Sequence, residues 1–268
     1  MMILRKCFKI IDRILPANFK KIFTIFIGAV LSCTGYQPKN IHDKEKVITR
    51  MLNICFFDHY YYRNKNLPTR EFNNKFWNEF GGEYLKTMNE IPIAEFYMKE
   101  ICDAIEKRGI KRVLELGCGH LRHLEYLSNR YPELELYGID VTKECATRAK
   151  ELGKKQIMVF VDDVRNLGRY TDILNKIDLI FSYGIFTYLE RPDLERVCRI
   201  LKDYFKGYVV YTDTADGRRI EELKESVELS FKKYVHPYIE IFAKYRLEPI
   251  KFMYGDNGTS FTYVGIQQ

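Results

Sequence analysis

The chain has 268 residues, of which 46% are hydrophobic and 29% are charged. This composition excludes a disordered, collagen-like or polytopic membrane protein, and a chain of this length can bury a sizeable core. The net charge is +7, and it comes entirely from residues 1–50, because the rest of the chain has equal numbers of basic and acidic residues. The body of the protein is therefore not a polycation that binds nucleic acid through its phosphates.

The seven cysteines are scattered along the chain, with no CxxC pair and no Cys/His cluster at zinc spacing. An odd number of dispersed cysteines is typical of unpaired thiols in a reducing compartment. We therefore expect a cytoplasmic protein without a metal site.

Residues 1–40 form a basic and apolar N-terminal extension. Residues 3–15 place apolar side chains at helical spacing with four basic residues opposite, which predicts a basic amphipathic helix that ends near Pro16. Residues 22–33 are uncharged but too few to cross a bilayer core of about 30 Å. Three hypotheses stay open: a signal peptide, a peripheral anchor that contacts anionic membrane through residues 1–35, or a helical appendage packed on the rest of the chain.

Residues 41–95 are rich in aromatic residues and lack strand periodicity, which predicts a helical cap. We expect its short helices to break at prolines and at a glycine pair, namely Pro68, Gly81–Gly82 and Pro92. The rings either pack against the main domain or form a lid over a substrate. In the second case the run DHYYY, which contains His59, would supply binding or acid–base groups.

From residue 111 onward, apolar runs alternate with helical stretches, which predicts a parallel sheet with helices on both faces. The predicted strands lie within residues 111–117, 133–140, 156–163, 176–184 and 207–214, and the predicted helices within 121–131, 142–153 and 192–205. Residues 248–254 and 260–267 predict two further strands, joined at Asn257–Gly258, a dipeptide typical of hairpin turns.

The first strand runs into a glycine-rich turn. Gly117 and Gly119 allow the backbone to approach a ligand closely and to adopt positive φ. Asp140 ends the next strand, 23 residues after Gly117, where an acidic side chain accepts the hydroxyls of a ribose. Ligands of such sheets bind outside the carboxyl ends of the strands. The sequence therefore predicts a cofactor that contains a nucleoside.

Four segments, VLELGCG, YGID, VDDVRNL and FSYGIFTYLERPD, resemble those of the class I S-adenosylmethionine-dependent methyltransferases. The resemblance covers roughly residues 95–268. It implies an α/β, Rossmann-like fold, with a seven-stranded, mostly parallel sheet that ends in an antiparallel hairpin. The resemblance implies a methyltransferase domain (96–268) after the extension (1–40) and the cap (41–95), and the implied cofactor is S-adenosyl-L-methionine.

The resemblance also implies roles for individual residues. Glu115, Gly117, Cys118 and Gly119 would border the methionine part of the cofactor, and Asp140, followed by Val141, would hold the ribose. Asp163 or, alternatively, Asp162 would meet the adenine amino group, and Val164 its ring; Ser182, Tyr183 and Tyr188 would line the cofactor and the target atom. The family's third glycine is Leu121 here, so the first helix can begin differently, and Arg122 becomes a candidate partner for the cofactor carboxylate.

Methyl transfer to a hydroxyl needs alignment of the acceptor and is helped by a general base. The candidates for the catalytic role are Tyr188, Asp213 and His59. Motifs for base amino groups (NPPY or DPPY) and a Pro-Cys nucleophile for cytosine are absent, which disfavours nucleic-acid acceptors. A small molecule, a sugar or a glycan precursor, such as that of a cell-surface polysaccharide, is expected instead.

Three alternatives remain open from the sequence. A dinucleotide-dependent reductase also uses a glycine-rich turn and a ribose-binding acid. An aminopropyl-type or other transferase, or a catalytically silent cofactor-binding scaffold, would use the same fold. Binding measurements with S-adenosylmethionine against NAD, followed by turnover measurements, separate these alternatives.

Overall fold

The computed structural model describes residues 17–33, 47–88, 95–255 and 258–268. Within these ranges, no helix combines the length and apolar character that crossing a bilayer requires. Four features expected from the sequence lie outside the described residues: the helix at 3–15, the break at Pro16, the break at Pro92 and Asn257 of the hairpin turn.

The N-terminal part of the described chain consists of three helices, α1 (Ala17–Cys33), α2 (Val47–Asn64) and α3 (Thr69–Met88). Helices α1 and α2 pack closely at Gly28, where an added Cβ would lie 2.0 Å from the Cys55 carbonyl oxygen. On α1, the side chains of Phe26 and Val30 are 63% and 47% exposed. Gly28 thus allows close contact with α2, while part of α1 presents apolar surface to solvent.

The expected break at Pro68 is confirmed, because α3 begins at the next residue, Thr69. The expected break at Gly81–Gly82 is wrong, because α3 continues through both glycines. A Cβ at Gly81 would lie 3.0 Å from the Thr142 methyl group and 3.3 Å from the Trp77 ring. Gly81 therefore permits close packing of α3 on the residues that follow β2, at a helix-propensity cost of about 1 kcal/mol.

The remaining helices and strands follow α3 in the chain. The helices are α4 (Glu95–Arg108), α5 (Arg122–Arg130), α6 (Glu144–Leu152), α7 (Thr171–Leu174), α8 (Arg191–Tyr204) and α9 (Tyr238–Lys244). The strands are β1 (Arg112–Leu116), β2 (Glu135–Asp140), β3 (Ile157–Val161), β4 (Leu179–Tyr183), β5 (Gly207–Thr214), β6 (Val227–Glu228), β7 (Tyr234–Val235), β8 (Leu247–Tyr254) and β9 (Ser260–Gln267). From β1 to β5 helices and strands alternate, and these five strands lie where the sequence predicts them.

Seven strands of the described chain form one sheet in the order β3-β2-β1-β4-β5-β9-β8. The first five are parallel to one another, and β9 runs antiparallel to both β5 and β8. This confirms the predicted sheet with its C-terminal antiparallel pair. Because β1 lies between β2 and β4, the chain leaves β1 at a topological switch point, where the carboxyl ends of the strands border a crevice.

Apolar side chains form two large buried clusters. One contains Ile101 of α4 with Leu124 and Leu127 of α5. The other contains Leu194 and Val197 of α8. The two residues named on α5, and the two named on α8, are three apart, which is the amphipathic pattern of a helix that covers a sheet. The packing fixes the strand ends that carry the polar residues described below.

The sequence did not predict the segment between β5 and β8, which contains α9 and the two-stranded β6–β7 hairpin. Its strands are two residues long and give too short a pattern to identify. In the connecting turn, Phe231 and Lys232 have φ values of 61° and 52°. Such left-handed backbone is uncommon for residues other than glycine.

Candidate active site

A cavity of about 340 Å³ lies at the carboxyl edge of the sheet, and α3 contributes to its wall. Its glycine end is formed by residues at the ends of β1 and β2 and by residues that follow β1, β2 and β3. They include Glu115, Gly117–Gly119, Arg122, Asp140, Val141 and Asp162–Val164. Its Asp213 end is formed by α3, the residues after β4, the end of β5 and the start of β9, namely Asn73, Asn74, Trp77, Thr187, Tyr188, Thr212–Thr214, Thr259 and Ser260. Tyr183, Gly184 and Ile185 also line the cavity.

The glycine turn adopts the conformation that its sequence requires. Gly117 and Gly119 have φ values of 75° and 49°, and the Gly117 N–H donates to the Ile139 carbonyl at 2.8 Å. A Cβ at Gly117 would lie 3.1 Å from the Ile185 side chain. A larger residue at this position would therefore be strained and would crowd Ile185.

Asp140 is hydrogen-bonded to the same turn. Its Oδ2 accepts the Gly119 N–H at 2.9 Å, and its Oδ1 accepts the N–H and the hydroxyl of Thr142 at 2.9 and 2.6 Å. Burial raises the pKa of the Asp140 carboxyl, and these hydrogen bonds oppose that effect. Asp140 and the glycine turn thus lie side by side on one cavity, as expected from the sequence.

Leu121 occupies the position of the family's third glycine and has a φ of 62°. Its side chain is fully buried, and α5 begins at the next residue, Arg122. A non-glycine residue in left-handed backbone costs about 1–2 kcal/mol. Burial of the leucine side chain contributes a comparable stabilisation of about 1.5–3 kcal/mol. The departure from the family pattern therefore changes the residue without removing the turn.

Glu115 and His123 form a buried pair beneath the glycine turn. His123 Nδ1 lies 2.7 Å from Glu115 Oε1, and Arg122 Nε donates to His123 Nε2 at 3.3 Å. Since Nε2 accepts, the proton lies on Nδ1 and is donated to Glu115. Burial raises the pKa of the Glu115 carboxyl. Its Oε2 is buried and has no hydrogen-bond partner among the described residues, so the glycine end contains an acceptor that a cationic or N–H donor would satisfy.

The two carboxylates after β3 are both engaged by the protein. Asp163 accepts the backbone N–H of Arg165 at 2.9 Å and pairs with its guanidinium at 2.9 Å. Arg70 of α3 also approaches Asp163, at 3.4 Å. Asp162 accepts from Asn166 at 2.7 Å and from the Tyr170 hydroxyl at 3.0 Å. Both line the cavity with Val164, and the Arg70 pair connects the cap to this loop.

Asp213 is the buried carboxylate of the opposite end. Its Oδ2 accepts the N–H groups of Phe186 and Thr187 at 2.8 and 3.2 Å, and its Oδ1 accepts that of Thr214 at 2.8 Å. A carboxylate has about four acceptor sites, so one site on Oδ1 remains. Burial raises the pKa of Asp213 to about 7, although the three N–H groups lower it.

Tyr188 lies between the cap and Asp213. Its backbone carbonyl accepts from the Asn73 amide at 2.8 Å, and its ring packs edge-to-face with Trp77, with centroids 5.3 Å apart. Burial, and to a smaller extent the charge of Asp213, raise the pKa of the Tyr188 phenol. The phenol is therefore protonated at neutral pH, which suits positioning or hydrogen-bond donation better than proton abstraction.

The structure does not bring two of the predicted residues to the cavity. Ser182 is buried within β4 and is absent from the lining. His59 packs against α1, where a Cβ added at Gly28 would lie 2.5 Å from the His59 Cβ, and it does not line the cavity either. Of the two alternatives for the cap, the lid with binding groups from the DHYYY run has no residue in the lining, because α3 and not α2 supplies the cap residues there.

Sequence reasoning missed most of the Asp213 end. The missed lining residues include Asn73, Asn74, Trp77, Thr187, Thr212, Thr214, Thr259 and Ser260. A signal existed in the run FNNKFW, since residues 73, 74 and 77 share one face of a helix. Nothing in the sequence distinguished that face from the neighbouring aromatic face, which packs inside the cap.

Residues 113–206 match a family described as a methyltransferase domain. No curated protein matches the chain. Among solved structures, magnesium protoporphyrin IX methyltransferase from Synechocystis PCC 6803 with bound S-adenosylhomocysteine is 10% identical, with a TM-score of 0.56 over 75% of this chain and 100% of that chain. A S-adenosylmethionine-dependent methyltransferase from Clostridium acetobutylicum is 15% identical, with a TM-score of 0.51 over 71% and 98%. At these identities the structural likeness shows a shared fold.

Proposed function

We propose that this class I S-adenosylmethionine-dependent methyltransferase methylates a hydroxyl group of a small molecule, a sugar or a glycan precursor, with Asp213 as the general base. The observation that carries the proposal is the Asp213 carboxylate. It is buried at the cavity, retains an acceptor site on Oδ1 and has a pKa of about 7. A base with a pKa near neutrality combines ionisation with a useful proton affinity.

The glycine end fits the cofactor. The Glu115 Oε2 atom is a buried acceptor to which the cofactor ammonium would donate. The turn from Gly117 to Gly119 brings the backbone close to the cavity. Glu115, Cys118 and Arg122 would border the methionine part, Asp140 and Val141 the ribose, and Asp162, Asp163 and Val164 the adenine. S-adenosylmethionine supplies a methyl group activated by positively charged sulfur.

At the Asp213 end, the protein aligns the acceptor and removes one proton. The acceptor oxygen forms a bond to the methyl carbon as the carbon–sulfur bond breaks, and the hydroxyl proton passes to Asp213 Oδ1. Trp77 and Tyr188 provide apolar ring surface beside this carboxylate, while Asn73 and Asn74 provide amides. Enclosure by α3 keeps water from the reacting atoms and holds the acceptor in line.

The test combines cofactor binding with turnover. Calorimetry with S-adenosylmethionine, S-adenosylhomocysteine and NAD should show binding of the first two only. Transfer of labelled methyl groups should then be measured across phenols, sugars and nucleotide sugars, with amines and thiols as the comparison set. Turnover confined to amines or thiols would contradict hydroxyl methylation, and tight cofactor binding without any turnover would favour a silent scaffold.

We further propose that residues 1–35 contact an anionic membrane from the cytoplasmic side, which would place the enzyme near precursors of cell-surface polysaccharide. The basic residues of this extension and the exposed Phe26 and Val30 of α1 support the proposal. Co-sedimentation with vesicles of phosphatidylglycerol should exceed that with phosphatidylcholine, and Phe26→Asp with Val30→Asp should reduce it. The exposed Met158 on β3 gives the control Met158→Asp. Equal sedimentation of the wild type and the double variant would contradict the proposal.

A further inference from the structure

Lys233 lies beside the Asp213 end of the cavity. It directly follows the left-handed turn of the β6–β7 hairpin, and its Nζ is 5.4 Å from the centre of the Tyr188 ring. Tyr188 lines the cavity, although Lys233 itself does not. A group bound against the exposed part of Tyr188 would therefore come within reach of the Lys233 ammonium.

The two neighbouring lysines of this hairpin differ in their partners. Lys232 Nζ pairs with Glu228 at 3.6 Å. For Lys233, the described residues provide the aromatic ring of Tyr188 and no carboxylate within ion-pair distance. A cation–π contact contributes about 0.5–2 kcal/mol and leaves the three N–H donors of an ammonium unused. A half-buried ammonium that contacts a ring and has no ion-pair partner is stabilised when an anion binds to it.

The hairpin holds Lys233 in place through contacts with three parts of the molecule. Phe231 packs on Tyr61 of α2 with ring centroids 5.2 Å apart, and the Tyr234 and Thr69 hydroxyls are 3.0 Å apart. The Thr187 hydroxyl donates to the Tyr234 carbonyl at 2.9 Å. Left-handed backbone at Phe231 and Lys232 persists only where the surroundings enforce it. These contacts supply that enforcement on both sides of Lys233.

One acidic group of the cavity interacts electrostatically with Lys233. This group is Asp213, whose oxygens accept three backbone N–H groups and keep one acceptor site on Oδ1. Tyr188, which Lys233 contacts, is protonated because burial raises its pKa. Lys233 therefore contributes a positive charge beside this end of the cavity, within 5.4 Å of the centre of the Tyr188 ring.

We propose that Lys233 binds a carboxylate or phosphate group of the acceptor, so that the acceptor is an anionic hydroxyl compound. This inference rests on the proposed function, since it assigns the Asp213 end to the acceptor. The anion is held by Lys233 on one side of Tyr188, while the hydroxyl to be methylated faces Asp213. Recognition of the anion by Lys233 and of the hydroxyl by Asp213 would orient a polar acceptor within the cavity.

Trp77 gives a direct readout, because it is the only tryptophan of the chain and its ring packs on Tyr188. The full-length protein, saturated with S-adenosylhomocysteine, is titrated with inorganic phosphate and, separately, with acetate at constant ionic strength. We expect a saturable change of Trp77 emission. The affinity should fall about tenfold in Lys233→Gln, the loss expected for a charge-assisted hydrogen bond, and recover in Lys233→Arg.

Lys232→Gln is the matched control, because it removes a lysine of the same turn that already has a carboxylate partner. A stronger response to phosphate than to acetate identifies a phosphorylated acceptor, and the reverse identifies a carboxylated one. Equal affinity in the wild type and Lys233→Gln, an equal loss in Lys232→Gln, or no saturable response to either anion would overturn the proposal. Failure of S-adenosylhomocysteine to bind would instead contradict the proposed function, and titration of the protein without it would still test Lys233.

Discussion

The glycine end and the Asp213 end of the cavity are built in different ways. The glycine end comes from about fifty consecutive residues, Glu115 to Val164, and its geometry depends on backbone conformation and on one carboxylate that accepts from the turn. The Asp213 end draws on α3, the residues after β4, the end of β5 and the start of β9, segments that are far apart in the chain.

This difference separates two kinds of constraint. At the glycine end, close approach of the backbone requires glycine, and the carboxylate must follow β2. At the Asp213 end, side chains from several elements provide rings, amides and hydroxyls around one buried acid. A common cofactor imposes the first constraint on many enzymes, whereas the acceptor of one enzyme imposes the second.

The largest effect should come from removing the base at the Asp213 end. Asp213→Asn should lower kcat by about 10²- to 10⁴-fold, while the affinity for S-adenosylhomocysteine stays within a factor of about two. In the wild type, kcat/KM should rise with pH through about 7, because Asp213 must be ionised to accept the proton. A parallel loss of cofactor affinity would mean that the two ends are not separate. An unchanged pH profile in the variant would contradict Asp213 as the base.

A second test concerns the residue that supports the loop after β4. His236 is buried, its Nε2 lies 3.1 Å from the Leu189 carbonyl, and burial lowers its pKa to about 4. Its neutral form stabilises the fold above about pH 6.5, and this contribution of about 3 kcal/mol is lost as the pH falls towards 4. Chemical denaturation from pH 7 to 4 should show a smaller change in the free energy of unfolding for His236→Gln.

Asp213 titrates over much of the same range in the opposite sense. Its raised pKa means that its contribution to stability is largest at low pH and decreases as the pH rises through about 7. The difference between the wild type and His236→Gln therefore isolates the histidine. If the free energies of unfolding of the wild type and His236→Gln differ by the same amount at every pH from 7 to 4, His236 does not titrate in this range.

At the glycine end, Asp140→Ala should weaken S-adenosylhomocysteine binding by about 10- to 100-fold, measured by calorimetry. The variant removes the acceptor for Gly119 and Thr142 as well as the predicted ribose partner. If the loss of binding free energy exceeds the loss in the free energy of unfolding, Asp140 contacts the ligand and does more than support the turn. Unchanged affinity would refute the assignment of Asp140 to the cofactor.

The smallest expected effect concerns the cap. Asn73→Ala should lower the free energy of unfolding by about 1 kcal/mol and raise KM for the acceptor, because its buried amide holds the Tyr188 carbonyl. Asn78 is the control, since its amide is exposed and bonds within α3. An effect on cofactor affinity as large as the effect on acceptor KM would argue against a cap that acts at the Asp213 end alone.

The amino-acid sequence determined the sheet, the glycine turn and the position of Asp140, because these depend on periodicity and on backbone rules that act within a few residues. It also indicated Asp213, since a polar residue at the carboxyl end of a strand lies on the binding edge. Only the tertiary structure decided that α3 supplies Asn73 and Trp77, that His59 faces α1, and that the hairpin places Lys233 by Tyr188. Those outcomes depend on which helix face packs where, and packing is a property of the whole chain that local patterns leave open.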